Sequence, residues 1–193
     1  GQIQFIEGWT FRQLRAVLDA HPALTHDTKD LSGAQILGRL GAEEPHPEGL
    51  FFPDTYHFSA GTSDLTILRQ AYDKMQRVLT QAWEARDSGL PVKTKYQGLI
   101  LASIVEKETG DPAEREIVAA VFVNRLRKGM RLQTDPTVIY GLGEKFDGNL
   151  RKRDLLADQP YNTYTRYGLP PTPIALPGEA AIYATLQPAE TRA

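Results

Sequence analysis

Gln97-Gly-Leu-Ile-Leu-Ala-Ser-Ile-Val-Glu-Lys-Glu-Thr109 carries a long, nearly all-apolar run, Leu99 to Val105, and closes on two glutamates. Nothing in it breaks a helix, and the spacing predicts one from about Lys95 to Thr109. Residues three or four apart share a helix face. Glu108 lies four after Ile104 and three after Val105, so it continues the stripe Ile100–Leu101–Ile104–Val105. Glu106 lies over Ala102 and Ser103, about 200° away around the axis. The stripe is therefore expected to carry Glu108, rather than Glu106, to the buried side. There, desolvation and the carbonyl end of the helix dipole would both raise its pKa, as a general acid working near neutrality requires. The plainer alternative is a solvated, charged helix end, and spacing alone favours it.

Working outward, Pro112 is expected to open a second helix. Its apolar spacing is Ile117, Val118, Val121, Phe122 and Leu126, and Gly129 closes it. Upstream, Ser63 or Asp64 caps a long helix with Leu65, Leu68, Tyr72, Met75, Val78, Leu79 and Trp83 on one face, ending at Gly89-Leu90-Pro91. Gln2 to Ile6 alternates with the period of a half-buried strand. Thr10 and Gln13 have the spacing of a capping box for a helix that ends near His21-Pro22. Ala34 to Leu40 and Gly178 to Leu186 read as short helices. Asp158 to Pro177, rich in Tyr, Thr, Asn and Pro, reads as extended loop. The expected fold class is α+β: helix-rich, with two lobes meeting near residues 89–95 and short strands at the N-terminus and after residue 130. The domain boundary falls between 1–92, a helical lobe with an edge strand, and 93–193.

Composition limits the function. The chain has 193 residues, 22 Lys+Arg against 24 Asp+Glu, a net charge of −2 and a hydrophobic fraction of 41%. That is too apolar for a disordered chain, and there is no basic excess for binding nucleic acid by bulk charge. Cys is absent, which excludes disulfides, thiolate metal sites and cysteine nucleophiles. The four His, at 21, 26, 46 and 57, lack metal-ligand spacing, and no metal or cofactor is expected. No apolar run approaches the ~20 residues that span a bilayer. The two ends read as those of a piece of a longer chain.

Two further stretches bear chemistry. Arg131-Leu-Gln-Thr-Asp-Pro-Thr-Val-Ile-Tyr140 gathers Gln133, Thr134, Asp135 and Tyr140, and Tyr161-Asn-Thr-Tyr-Thr165 adds Asn162 and Tyr164. Planar amides, hydroxyls, carboxylates and aromatic rings are the groups that hold sugars. Ordinary turn chemistry accounts for the same residues equally well.

Taken together, Leu101-Ala-Ser-Ile-Val-Glu-Lys-Glu-Thr109, Val121-Phe-Val-Asn-Arg-Leu126 and Gly129-Met-Arg-Leu-Gln-Thr-Asp-Pro-Thr-Val-Ile-Tyr-Gly141 resemble the YceG-like (MltG) endolytic murein transglycosylases. Tyr161-Asn-Thr-Tyr-Thr165, Gly168-Leu-Pro-Pro171, Ile174-Ala-Leu-Pro-Gly178 and Glu48-Gly-Leu-Phe-Phe-Pro-Asp-Thr-Tyr56 continue the resemblance in chain order. It implies an enzyme that cleaves the MurNAc-β-1,4-GlcNAc bond of nascent peptidoglycan strands and leaves 1,6-anhydro-MurNAc ends. It also implies an inner-membrane anchor with the catalytic part in the periplasm, glycan strands as substrate and wall-synthesis enzymes as partners. The essential glutamate of the family lies in the Glu-Lys-Glu motif. The helix-face reading carries it to Glu108, with Glu106 as second choice. Gln133, Thr134, Asp135, Tyr140, Asn162 and Tyr164 are expected to position substrate. Family members also have a membrane helix and a LysM-like segment ahead of this region, and further strand-forming sequence beyond Pro188. Residues 93–193 are then expected to be a C-terminally truncated catalytic lobe. Two other readings remain: a non-catalytic glycan-binding or scaffold module of the wall-synthesis machinery, and a hydrolytic muramidase with Asp135 as second carboxylate.

Overall fold

A computed structural model describes residues 1–108 and 110–190. The chain is mostly helical, with one small antiparallel sheet. Strand β1 (Gln2–Gln4) pairs with β2 (Thr55–His57), and Ile3 faces Tyr56 across the ladder. Between them lie α1 (Phe11–Ala20) and α2 (Gly33–Leu40). After β2 come α3 (Asp64–Glu84), α4 (Lys95–Glu108), α5 (Arg115–Arg127), α6 (Asp135–Leu142), α7 (Lys152–Leu156) and α8 (Glu179–Leu186).

The helix starts follow their local chemistry. Thr10 and Gln13 close a reciprocal capping box on α1, and Ser32 and Gln35 do the same for α2. Ser63 caps α3 by accepting from Leu65 N. Asp111 accepts from Ala113 N at the head of a short 3-10 turn, Pro112–Glu114, that leads into α5.

Helix α4 is the axis of the fold. Every residue from Gly98 to Val105 is buried, and α3, α5, α6 and α8 all pack on it. Its most extensive packing is against α8, where a Cβ on Gly98 would sit 3.3 Å from Leu186 Cδ2. Ser103, inside this core, is satisfied locally: its hydroxyl donates to Ile100 O at 2.6 Å and accepts from Ile174 N at 3.0 Å. One cluster of buried apolar residues runs from Ile3 to Leu186 and includes Phe51, Met75, Leu101 and Ile104.

Three expectations change. No strand follows residue 130 among the described residues. Asp135-Pro136 is instead the first turn of α6, where proline's fixed φ and missing N–H cost nothing. On α5 the buried residues are Ala119, Ala120, Phe122 and Val123, while Ile117 is exposed. Phe122 is on the inner face as expected, but the small Ala119 and Ala120 share that face against α4 and α8, while Val118, Val121 and Leu126 are only half-buried. On α4 there is no single buried stripe, because the helix is surrounded, and the face argument fails at its last turn. Glu106 is half-buried and Glu108 is exposed. Thr109, the expected last helical residue, and Thr191-Arg192-Ala193 lie outside the described residues.

Candidate active site

The last turn of α4 points its two glutamates at different neighbours. Glu106 Oε1 accepts from Gly178 N at 2.8 Å, at the N-terminus of α8, where a carboxylate meets unpaired N–H groups and the positive end of the dipole. Burial still dominates and holds its pKa above the ordinary carboxylate value. The Gly178 N–H opposes that rise and the neighbouring Glu7 carboxylate adds to it. Lys107 Nζ reaches back to Gly8 O at 3.3 Å, which ties the same turn to the loop after β1. The desolvation expected at Glu108 therefore falls on Glu106.

Glu108 opens toward the N-terminus of α6. Its Oε1 accepts from Thr134 Oγ1 at 2.6 Å. Thr134 is held from behind by a buried hydroxyl cluster. Its N–H donates to Thr163 Oγ1 at 3.0 Å, Thr163 Oγ1 lies 2.9 Å from Thr137 Oγ1, and Thr137 Oγ1 donates to Thr134 O at 2.8 Å. Gln133, just before it, has φ +52°, the left-handed region that costs a non-glycine residue energy. That conformation turns the chain into α6. It is supported by Gln133 N donating to Thr163 O at 3.2 Å and Arg125 Nη1 donating to Gln133 Oε1 at 3.3 Å. Asp135 follows, exposed, and its Oδ1 accepts from Tyr164 OH at 2.5 Å. Desolvation, the Asp135 bond and the negative charges of Asp135 and Glu108 push the Tyr164 hydroxyl up to about 12, so it stays a phenol and a donor at neutral pH.

Of the residues singled out from the sequence, the structure thus brings Glu108, Thr134, Asp135 and Tyr164 together, with Gln133 beside them. Asn162 is different. It is fully buried; its Nδ2 donates to Leu155 O at 3.0 Å and Ala157 O at 2.7 Å, and its Oδ1 accepts from Tyr164 N at 2.8 Å. With both ends of the amide engaged by backbone, Asn162 shapes the turn that presents Tyr164 rather than facing a ligand. Tyr140 lies at the other end of α6, its ring 4.9 Å from that of Tyr161.

Sequence reasoning passed over Glu48. It is 2% exposed, and its Oε2 accepts from Phe11 N at 2.6 Å in the first turn of α1. Burial raises its pKa to about 7, against hydrogen bonds from the Phe11 and Gly49 N–H groups and Tyr140 OH. The signal was present as a lone carboxylate inside Glu48-Gly-Leu-Phe-Phe-Pro53, a stretch otherwise bound for the core. Among the described residues, no group of three or more His, Asp or Glu could hold a metal ion. No helix among them is long and apolar enough to cross a membrane.

Comparison with known proteins agrees along the whole chain. The profile of the YceG-like family matches residues 1–193. The sequence is 40% identical over 181 residues to an endolytic murein transglycosylase of Bacillus subtilis (strain 168), covering 93% of this chain and 50% of that protein. It is 31% identical over 145 residues to an endolytic murein transglycosylase of Streptococcus pneumoniae serotype 2, covering 72% of this chain and 26% of that protein. The chain thus spans about half the length, or less, of these relatives. Among solved structures, a YceG-like protein of Listeria monocytogenes superposes with a TM-score of 0.76 at 30% identity, over 99% of this chain and 68% of that one.

Proposed function

Since this chain belongs to the YceG-like family, we propose that it houses the catalytic centre of an endolytic murein transglycosylase, with Glu108 as its acid and base. The observation that carries this reading is the exposed Glu108 carboxylate, oriented at 2.6 Å by a hydroxyl that is itself locked in a buried network. A carboxyl that must reach two oxygens of a polymer has to be open to solvent and fixed in direction, and Glu108 is both. All the side chains of this cluster lie within residues 93–193, which we assign as the catalytic half, with 1–92 packed against it.

The reaction needs one carboxyl in two roles. Protonated Glu108 gives its proton to the glycosidic oxygen as the bond from the muramyl anomeric carbon breaks, leaving an oxocarbenium-like centre. The carboxylate then removes the proton from the C6 hydroxyl of the same muramyl residue as that oxygen bonds to the anomeric carbon. The proton is restored to Glu108, no water is consumed, and a 1,6-anhydro end results. This differs from the hydrolytic scheme, in which a second carboxylate activates water or forms a covalent intermediate. Thr134 Oγ suits both halves of the cycle, because a hydroxyl donates to a carboxylate and accepts from a carboxylic acid. Asp135 places negative charge beside the centre that becomes cationic, and Tyr164 holds its orientation through the 2.5 Å bond. Gln133 sets the turn and offers its exposed amide to a sugar hydroxyl.

In this reading the full-length protein is anchored in the bacterial inner membrane with this part in the periplasm, acting on nascent strands alongside the wall-synthesis enzymes. Digestion of uncross-linked glycan strands tests the chemistry. Anhydro ends support it, ends heavier by one water identify a hydrolase, and binding without cleavage by a full-length protein identifies a scaffold module.

A further inference from the structure

A cleft of about 780 Å³ lies between the first turn of α1, the Pro45-His46-Pro47-Glu48 loop and the far end of α6. Its walls include Arg12, Pro47, Glu48, Ile139, Tyr140 and Tyr161. Two continuous elements connect it to Glu108. Helix α6 begins beside Thr134, and Tyr140 follows roughly 8 Å further along its axis. The 161–164 segment follows the same path: Tyr164 bonds Asp135, Thr163 bonds Thr134 and Thr137, and the Tyr161 ring meets Tyr140. A ligand bound at Glu108 and branching along α6 would therefore run into the cleft.

The walls define what the branch should be. Pro47, Ile139 and the two tyrosine rings offer apolar surface for small side chains. Arg12 offers a guanidinium that lies 3.5 Å from Glu144 and also feels the charge of Glu48; both side chains of the Glu144 pair are well exposed (64% and 80%), so that pair is weak and readily exchanged for a ligand carboxylate. Arg15 adds positive charge, though its Nη2 is occupied by Thr28 O, Lys29 O and Leu31 O. The acidic group on the floor is closed to ligands, because Glu48 is bonded to Phe11 N. Burial also lowers the pKa of His46.

We propose that this cleft is the stem-peptide subsite: it takes the peptide carried on the muramyl lactyl group of the strand being cut, with Arg12 paired to a peptide carboxylate and Pro47, Ile139 and Tyr140 packed on its alanyl side chains. The proposal rests on Glu108 being the site of glycan cleavage, since that places the muramyl residue at the head of α6. It assigns the enzyme a preference for strands that still bear peptides.

Binding by the Glu108→Gln chain, which retains the cleft, tests this. The ligands are uncross-linked strands with intact stems, the same strands stripped by an amidase, and the free peptide L-alanyl-γ-D-glutamyl-L-lysyl-D-alanine. The expected result is roughly tenfold tighter binding of stem-bearing than of stripped strands, the size of one charge-assisted pair. Adding Arg12→Glu should abolish that ratio, and Ile139→Ala should reduce it severalfold. The free peptide should perturb the Ile139 methyl resonances. Equal affinity for both strands, or a preference that survives Arg12→Glu, overturns the subsite. Failure of the Glu108-intact chain to cleave any strand would overturn the catalytic reading instead, while the free-peptide measurement would still decide the cleft.

Discussion

Glu106 and Glu108 stand two residues apart on one helical turn, yet the fold uses them oppositely. Glu106 is half-buried and bonded to the backbone at the head of α8, so it ties the end of α4 to the start of α8. Glu108 is exposed and accepts from the side-chain hydroxyl of Thr134. The comparison separates two ideas that helix-face reasoning merges. Burial raises a carboxyl's pKa, but a carboxyl bonded to backbone is not free to meet a polymer. Under the proposed assignment, accessibility with a fixed direction, rather than burial, is the mark of the reactive group.

The largest test of that distinction is removal of the carboxyl proposed to react. Glu108→Gln keeps the shape and loses the proton, and the rate of strand cleavage should fall about 10²- to 10⁴-fold with the melting temperature unchanged. Glu48 is the extreme of the buried class and yields a pH prediction. Its folded pKa, about 7, lies above the unfolded value of 4.5, so between these the folded state holds a proton that the unfolded state has released. Stability from this group is present below the unfolded pKa and is lost as pH rises through about 7. The loss is on the order of 3 kcal/mol. Denaturant unfolding at pH 5 and pH 8 should show it, and Glu48→Gln should flatten the difference.

Asn162→Ala empties a fully buried site and leaves the part-buried carbonyls of Leu155 and Ala157 without their donor, and should cost about 2 kcal/mol. In a chain of this size that is a drop of roughly 4–8 °C in melting temperature. Because Asn162 also sets the turn before Tyr164, kcat should fall with it while KM changes little. Thr134→Val removes the hydroxyl that aims Glu108 and keeps the side-chain volume. Its expected cost is about tenfold in kcat, near the value of one hydrogen bond to a charged group. The smallest effect belongs to Glu106→Gln, which retains an oxygen for Gly178 N; steady-state cleavage within about twofold of the parent is expected.

Much of this architecture can be read directly from residues. The capping box at Thr10 and Gln13, the Ser63 cap and the long apolar run of α4 are local signals, and each lies where its chemistry puts it. The Gln133-Thr134-Asp135 and Tyr161–Tyr164 stretches were legible as polar and ligand-like, and the hydroxyl cluster between them does join the two. Which glutamate is covered could not be read, because it depends on Gly178, 72 residues further along the chain. The same holds for Asn162, whose amide could have faced either a sugar or a turn until the carbonyls of Leu155 and Ala157 were placed around it. Asp135-Pro136 reads equally as a turn or a helix start, and only packing against α4 and α7 decides. Glu48 had no periodic signal at all: its burial follows from the aromatic residues around it and from the free N–H of a helix more than thirty residues upstream.

The most direct test of the central claim is the mass of the new strand ends released from uncross-linked glycan by the parent chain, by Glu108→Gln and by Glu106→Gln, each checked for folding by thermal melting. The account predicts 1,6-anhydro ends from the parent and from Glu106→Gln, and none from a folded Glu108→Gln. Anhydro ends from Glu108→Gln together with none from a folded Glu106→Gln would contradict it.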